Sequence, residues 1–238
     1  MASEYLKKKY QDVKPDAKRE LTPAEKRKNW WHYHKWHVVI GAVLLVILGS
    51  MVWNTLHRVM PDYQIAYVGT DALPDDTAAA VESGIAALGE DLNGDGRVVV
   101  RLVQYTSSGE IDAQAAMAAE VRLMADMTAC ESYFFLLEDP EKFQRSYGTL
   151  RRLDGSLPAD GDESVEGTCL AWEQCPALAR IELGEYAYPL LGGTATGSGD
   201  ELVSGLYIAR RGFWTEKTVP YPEGCEALWE KITEGAVS

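Results

Sequence analysis

No histidine follows His57 in this chain of 238 residues, and the other three, His32, His34 and His37, lie earlier still. Residues 58–238 therefore hold no imidazole for general acid–base catalysis or metal ligation. Also absent are a Cys-x-x-Cys pair, the Cys/His spacing of a zinc site and a Gly-x-Ser-x-Gly nucleophile elbow. The Gly-rich run Gly192-Gly193-Thr194-Ala195-Thr196-Gly197-Ser198-Gly199 lacks the Lys-Ser/Thr of a phosphate loop, so it reads as a hairpin or link. No internal repeat is present. Positive charge is scarce beyond the N-terminal segment. Residues 57–238 contain thirteen Lys or Arg against thirty-one Asp or Glu, whereas residues 1–35 contain ten against five. A segment this acidic repels a phosphate backbone, which argues against nucleic acid as a partner. Paired carboxylates say little in such a segment, where most are solvated surface, and no convincing catalytic set emerges.

Charge of either sign is missing altogether from residues 38–56, a run of nineteen dominated by Val, Ile, Leu, Ala and Gly. As a helix it rises about 28 Å, close to the hydrocarbon thickness of a bilayer. A buried core helix would keep one polar face, and this run has no polar side chain before Ser50 and Asn54. Trp30, Trp31, Tyr33 and Trp36 crowd one end and Trp53 lies near the other, where amphipathic rings favour the headgroup zone. The histidines read the same way, as interfacial anchors. Lys26, Arg27, Lys28 and Lys35 precede the run and only Arg58 closely follows it, so the positive-inside rule predicts a cytoplasmic N-terminus and an extracytoplasmic C-terminal segment. The run starts late for a cleaved signal peptide and leads into Met51-Val52-Trp53-Asn54 rather than small residues. No cysteine stands at its end to take a lipid. The reading is an uncleaved single-pass anchor in the cell membrane, with lipid as its first partner.

Residues 1–29 form a basic tail, expected to be disordered or a short amphipathic helix at the membrane. Thr22-Pro23-Ala24-Glu25 has the pattern of a capping box with Pro in the first turn, so a helix from Pro23 would run directly into the span. Residues 30–57 make the aromatic juxtamembrane segment and the transmembrane helix, and 62–238 a single extracytoplasmic domain. Within it, strand and helix periodicities alternate. Strands are predicted at 63–69 (YQIAYVG), 98–105 (VVVRLVQY), 133–137 (YFFLL) and 202–209 (LVSGLYIA). Helices are predicted from Leu73-Pro74-Asp75-Asp76 with Ala79, Val81, Ile85 and Leu88, over 111–128, from Asp139-Pro140-Glu141, and over 222–232. Met117, Val121, Met124 and Met127 fall on one helical stripe, which reads as core packing. This alternation predicts an α/β fold: a single transmembrane helix followed by a three-layer domain with a mainly parallel sheet. Residues 154–176 read as a polar loop.

Two local patterns leave alternatives open. Cys169 and Cys175, inside that loop, are close enough in sequence to form one disulfide, with Cys130 and Cys225 as a second pair, or all four are buried thiols. Asp91-Leu92-Asn93-Gly94-Asp95-Gly96 matches the first half of a calcium loop, with oxygen ligands from Asp91, Asn93 and Asp95. Its twelfth position is Leu102, where a bidentate Glu is needed, so Glu90 or a distant carboxylate would have to complete the shell. The alternative is a tight Asn-Gly/Asp-Gly turn into the strand at Val98, with no cofactor at all.

The order of these elements, with Leu123-Met124-Ala125-Asp126, Tyr133-Phe134-Phe135-Leu136-Leu137-Glu138-Asp139-Pro140 and Leu150-Arg151-Arg152-Leu153-Asp154, resembles the first lobe of bacterial extracellular solute-binding proteins over residues 62–157. As a whole the chain also resembles single-pass membrane proteins of Gram-positive bacteria with an aromatic segment before the helix. The resemblance implies ligand contact at the carboxyl end of the third strand, where Gln104, Tyr105, Thr106, Glu138 and Asp139 would line an edge; their alternative is helix capping and solvated strand ends. The domain has room for one lobe only, so it cannot close a two-lobed clamp alone. The expectation is a non-enzymatic binding or interaction domain whose partner is a membrane or envelope protein, by family analogy transporter-associated. The rival is an extracytoplasmic hydrolase acting through carboxylates such as Glu138 and Asp139. A sensor recruiting a protein through its short tail is a third.

Overall fold

A computed structural model describes residues 20–56, 59–107, 113–159, 161–190 and 193–236. Most of the basic tail, with His57, Arg58, Ile111 and Gly192, lies outside the described residues. The chain divides into two units, one ending at Val59 and one beginning at Met60.

The described residues of the first unit form one helix, α1 (Pro23–Leu56), of 34 residues. Its start follows the capping-box expectation. The Thr22 backbone N–H and hydroxyl donate to Glu25 Oε2, each at 2.9 Å, and the Glu25 N–H donates to Thr22 Oγ1 at 3.4 Å. Trp30 stacks on His34 with ring centroids 5.0 Å apart, and His34 Nδ1 lies 2.9 Å from the Trp30 carbonyl. Among the described residues of this helix none is buried: Trp30, Trp31, Tyr33, Trp36, Trp53 and the large aliphatic residues between them are exposed, Leu45 at 71%. It is long and apolar enough to cross a membrane. So much uncovered apolar surface is unfavourable in water and is relieved in lipid.

The second unit is a mixed α/β domain. Its elements are β1 (Tyr63–Gly69), α2 (Asp75–Ala86), β2 (Val100–Thr106), α3 (Ala113–Ala129), β3 (Phe134–Leu137), α4 (Pro140–Tyr147), β4 (Cys169–Ala171), β5 (Glu185–Leu190), β6 (Gly193–Ser198), α5 (Gly199–Val203), β7 (Tyr207–Arg210) and α6 (Pro222–Thr233). The main sheet has the order β2-β1-β3-β7-β4. β1 pairs in parallel with both β2 and β3, while β7 runs antiparallel to β3 and to β4.

Strand parity sorts the core into two layers. Tyr63, Ile65 and Tyr67 of β1, Val100 and Leu102 of β2, and Phe134 and Leu136 of β3 pack with Val81 and Ile85 of α2 and with Cys225, Leu228, Trp229 and Ile232 of α6. The alternate residues Ala66, Tyr105, Phe135 and Leu137 pack on the other face with Leu123 and Met127 of α3 and Phe143 of α4. All four β3 residues are buried, as a strand covered on both sides requires. Each large apolar side chain fully enclosed here contributes roughly 1.5–3 kcal/mol.

Several expectations need correction. The sheet, expected to be mainly parallel, is mixed: β2-β1-β3 are parallel and β7 is antiparallel to both its neighbours. Residues 202–209 are not one strand: α5 occupies 199–203, and only Tyr207–Arg210 is extended. The Gly-rich run, by contrast, matches the hairpin reading, since Gly193–Ser198 is the second arm of the two-stranded hairpin β5–β6. The loop over 154–176 ends in the short edge strand β4. On α2, Val81 and Ile85 are buried but Ala79 is exposed. Of the methionine stripe only Met127 is buried; Met117 and Val121 are each 68% exposed and Met124 54%. The core instead takes the opposite side of α3, because Leu123, Asp126 and Met127 project there.

The proposed disulfides are absent from the structure, where all four cysteines are free thiols. Cys169 packs with the α3/α4 layer and Cys175 with the α2/α6 layer, so sequence proximity does not bring them together. Burial pushes the Cys175 thiol up to about 11; burial, with Glu226 nearby, pushes Cys225 to about 12. At pH 8 a thiol reagent should modify half-buried Cys169 at most, and all four only after denaturation. Two thiols missing from the denatured, unreduced count would restore a disulfide. Tyr67 is likewise pushed up to about 12, by burial and then by Glu138 and Asp71. In each case the folded domain holds the proton more tightly than the unfolded chain, whose thiols titrate near 9 and phenols near 10. This stabilisation is complete below the unfolded values and disappears as pH rises through the folded ones. The melting temperature should stay level up to about pH 9 and fall between about 9 and 12, with tyrosinate absorbance rising in the same step.

Candidate functional site

The parallel register brings the carboxyl ends of β1, β2 and β3 level. Gly69 lies opposite Thr106, and Val68 opposite Leu137. Backbone bonds continue past the strands, with the Ser107 N–H donating to the Gly69 carbonyl at 3.0 Å and the Glu138 N–H to the Val68 carbonyl at 3.1 Å. Above this edge lies a cleft of about 610 Å³, lined by residues of both α3 and α4. Gly69, Thr70, Tyr105, Thr106 and Ser107 line its base; Met117, Glu120 and Leu123 form one wall; Glu138, Asp139, Lys142 and Tyr147 form the other. Crevices of this kind, outside the carboxyl ends of strands, are where open α/β sheets bind ligands.

Of the residues predicted to meet a ligand, Tyr105, Thr106, Glu138 and Asp139 line the cleft and Gln104 does not. Gln104 and Tyr105 are consecutive in a strand and so face opposite ways. Gln104 turns toward α2, accepting from the Leu73 N–H at 2.8 Å and donating to the Leu73 carbonyl at 3.2 Å. Tyr105 turns toward α3, where its hydroxyl donates to Asp126 Oδ2 at 2.8 Å and the Arg122 guanidinium lies 5.6 Å from its ring centre. Burial first, and then the Asp126 hydrogen bond, raise its pKa well above the ordinary phenol value, so this ring is a neutral floor to the cleft.

Both carboxylates already hold backbone groups. Asp139 Oδ1 accepts the Lys142 N–H at 2.9 Å, capping α4 as the Asp-Pro-Glu pattern predicts. Glu138 Oε2 accepts the Thr70 N–H and so ties β3 to the turn after β1. Gly69 makes this reach feasible: a Cβ there would collide with the Tyr67 hydroxyl and lie 3.0 Å from Glu138 Oε2. No family model, curated protein or solved structure matches this chain. The wall residues Met117, Glu120, Lys142 and Tyr147 are not legible in the sequence, because periodicity does not disclose which side of α3 or α4 borders a cleft.

The Asp91 loop is closed on itself. Asp91 Oδ1 accepts the Gly94 N–H and Oδ2 the Gly96 N–H, each at 2.7 Å, while Asn93 Oδ1 accepts from Asp95 and Asp95 Oδ1 from Arg97. Gly94 and Gly96 take positive φ, at 75° and 85°. Beneath them buried Asp62 accepts the N–H groups of Leu92, Asn93 and Val99 at 2.8–3.0 Å. Among the described residues no three His, Cys, Asp or Glu side chains gather as metal ligands. Glu90, suggested above as a completing ligand, instead pairs with Lys231 at 2.8 Å.

Proposed function

We propose that this chain is a single-pass membrane protein, cytoplasmic at its N-terminus, whose extracytoplasmic domain binds a membrane or envelope protein through the cleft at the carboxyl edge of β1–β3. The observation that supports anchoring is α1, a long helix with its apolar side chains uncovered all round. Support for binding rather than hydrolysis comes from Glu138 and Asp139, each engaged with a backbone N–H in a broad open cleft. Association with a transporter follows from the solute-binding resemblance alone.

Protease added to intact cells should remove residues beyond Met60 and spare the tail, and carbonate washing should leave the chain in the membrane. Release by carbonate would discard the anchor. For the cleft, a photo-crosslinking side chain at Ser107 or Lys142 should capture a membrane protein that the same probe at Arg180, on the α2 side of the domain, does not. Equal capture at all three positions would remove the cleft from the proposal.

We assign the Asp91 loop as a self-capped turn rather than a calcium site, since its own N–H groups occupy the oxygens an ion would need. Millimolar Ca²⁺ should leave the melting temperature unchanged; a rise of several degrees would make it an ion site.

A further inference from the structure

Charge in the cleft at the carboxyl edge of β1–β3 is unbalanced. Three carboxylates line it, Glu120, Glu138 and Asp139, against one cation, Lys142. Arg122 lies against the Tyr105 ring without lining the cleft. Glu138 and Asp139 each use one oxygen on the backbone, Glu138 Oε2 for the Thr70 N–H and Asp139 Oδ1 for the Lys142 N–H. Their second oxygens, and both oxygens of exposed Glu120, hold no bond among the described residues. Tyr147 ionises above the ordinary phenol range, through burial first and then the charge of Glu120, which puts Glu120 near it. Asp139 precedes α4 and Tyr147 ends it, so the eight residues of that helix separate the two acidic places by roughly 12 Å. Apolar side chains share the lining. Phe143, midway along α4, packs with its ring centre 5.0 Å from that of Tyr147, Leu123 is buried, and Met117 stands 68% exposed one turn from Glu120. An uncovered thioether of this kind adapts its shape to what lies against it.

We propose that the segment entering the cleft carries a Lys or Arg side chain beside an apolar one, the cation meeting the second oxygens of Glu138 and Asp139 and its apolar neighbour covering Met117. Its owner is the membrane or envelope protein of the reading above, on which this step rests. An acidic segment would set its charge against three carboxylates. A wholly apolar one would strip water from their free oxygens and return no donor. A metal ion is a poor occupant, because among the described residues no three His, Cys, Asp or Glu side chains gather as ligands. The long-range field acts in the same sense: with thirty-one acidic residues against thirteen basic over 57–238, it draws a basic segment in and turns an acidic one away.

The test offers three biotinylated tripeptides with blocked ends, Leu-Lys-Leu, Leu-Glu-Leu and Ser-Lys-Ser, to the full chain in detergent with a photo-crosslinking side chain at Ser107. Capture of Leu-Lys-Leu should exceed each of the others on the order of tenfold, as two surface ion pairs and one covered apolar side chain together allow. The same probe at Arg180 should show no preference. Glu120→Gln, Glu138→Gln and Asp139→Asn in one chain remove three charges and leave oxygen acceptors for the Thr70 and Lys142 N–H groups. That variant should keep the parent melting temperature and lose the preference for lysine over glutamate. Lys142→Gln should raise capture of Leu-Lys-Leu about twofold, a gain that a damaged fold cannot produce. Salt at about 0.5 M should weaken capture by the parent and leave the triple variant unchanged. Equal capture of Leu-Lys-Leu and either other peptide, or an undiminished preference in the triple variant, would overturn the proposal. The two readings fail separately. A membrane protein captured at Ser107 while the peptides are taken equally defeats the basic segment and leaves the cleft as a docking site; a lysine preference with no membrane protein captured keeps the chemistry of the cleft and defeats that partner.

Discussion

Asp126→Ala is expected to destabilise the domain by about 3–5 kcal/mol, a loss of roughly 10 °C or more in melting temperature for a domain of this size. Asp126 is 1% exposed and its carboxylate is the common acceptor of four donors. Oδ1 takes the Ser132 N–H at 3.0 Å; Oδ2 takes the Ser132 hydroxyl at 2.6 Å, the Tyr105 hydroxyl at 2.8 Å and Gln64 Nε2 at 3.1 Å. The network joins β1, β2, α3 and the turn into β3. Truncation strips all four donors at once in a place water does not reach, and that desolvation penalty sets the magnitude. Graded variants test the account. Tyr105→Phe removes one donor and should cost about 1 kcal/mol, because the other three bonds remain. Asp126→Asn should fall between, since its amide N–H₂ confronts a donor. Urea unfolding of the three variants gives the order; Asp126→Ala within 1 kcal/mol of the parent would show that the network is not a determinant of stability.

Asp126 also illustrates what was legible in the sequence. Its place in a helix before a strand followed from Leu123-Met124-Ala125-Asp126 and the apolar run after it, yet nothing marked it as buried, because its acceptors' partners come from three separate segments. Local chemistry was readable: β1 runs over the predicted Tyr63–Gly69, and both Thr22 and Asp139 cap the helices expected of them. Quantities that depend on which way an element turns were not. Adjacency in sequence groups Gln104 with Tyr105, whereas strand parity separates them. For the α3 methionines, a stripe of period 3.6 shows that a face exists, not which neighbour covers it, so core packing and exposure look alike in the sequence. The antiparallel β7 escaped because periodicity is indifferent to strand direction, and the connection from α4 to β7 is long enough to permit either. Cys169 and Cys175 differ in layer for another reason: Cys175 lies past β4 and the turn over Trp172–Gln174, where spacing along the chain no longer reports the side of the sheet.

Removal of Glu226 is the second large effect expected. Arg210, at the end of β7, is 3% exposed, and its guanidinium donates to Glu226 Oε1 and, through Nη2, to the carbonyls of Arg152 and Leu153 at 2.9 Å each. It lies 5.3 Å from the Trp229 ring centre, and its Nε is buried without an acceptor. Glu226 Oε2 accepts the Tyr133 hydroxyl, and Arg151 Nη1 stands 3.8 Å away. Glu226→Ala therefore leaves an arginine enclosed without its counter-charge and a phenol without its acceptor, expected to cost about 2–4 kcal/mol. The lower bound reflects the two carbonyls, which still hold part of the cation. Charge compensation, rather than packing of the Glu226 stem, is the proposed cause, so the double variant Arg210→Met with Glu226→Leu should recover much of the loss by replacing the pair with apolar volume. Burial and Glu226 together keep the Tyr133 hydroxyl protonated well above its ordinary range, so the parent loses this contribution only in alkali, and part of that dependence should vanish in Glu226→Ala. A double variant as unstable as Glu226→Ala would locate the loss in the shape of the site instead of its charge.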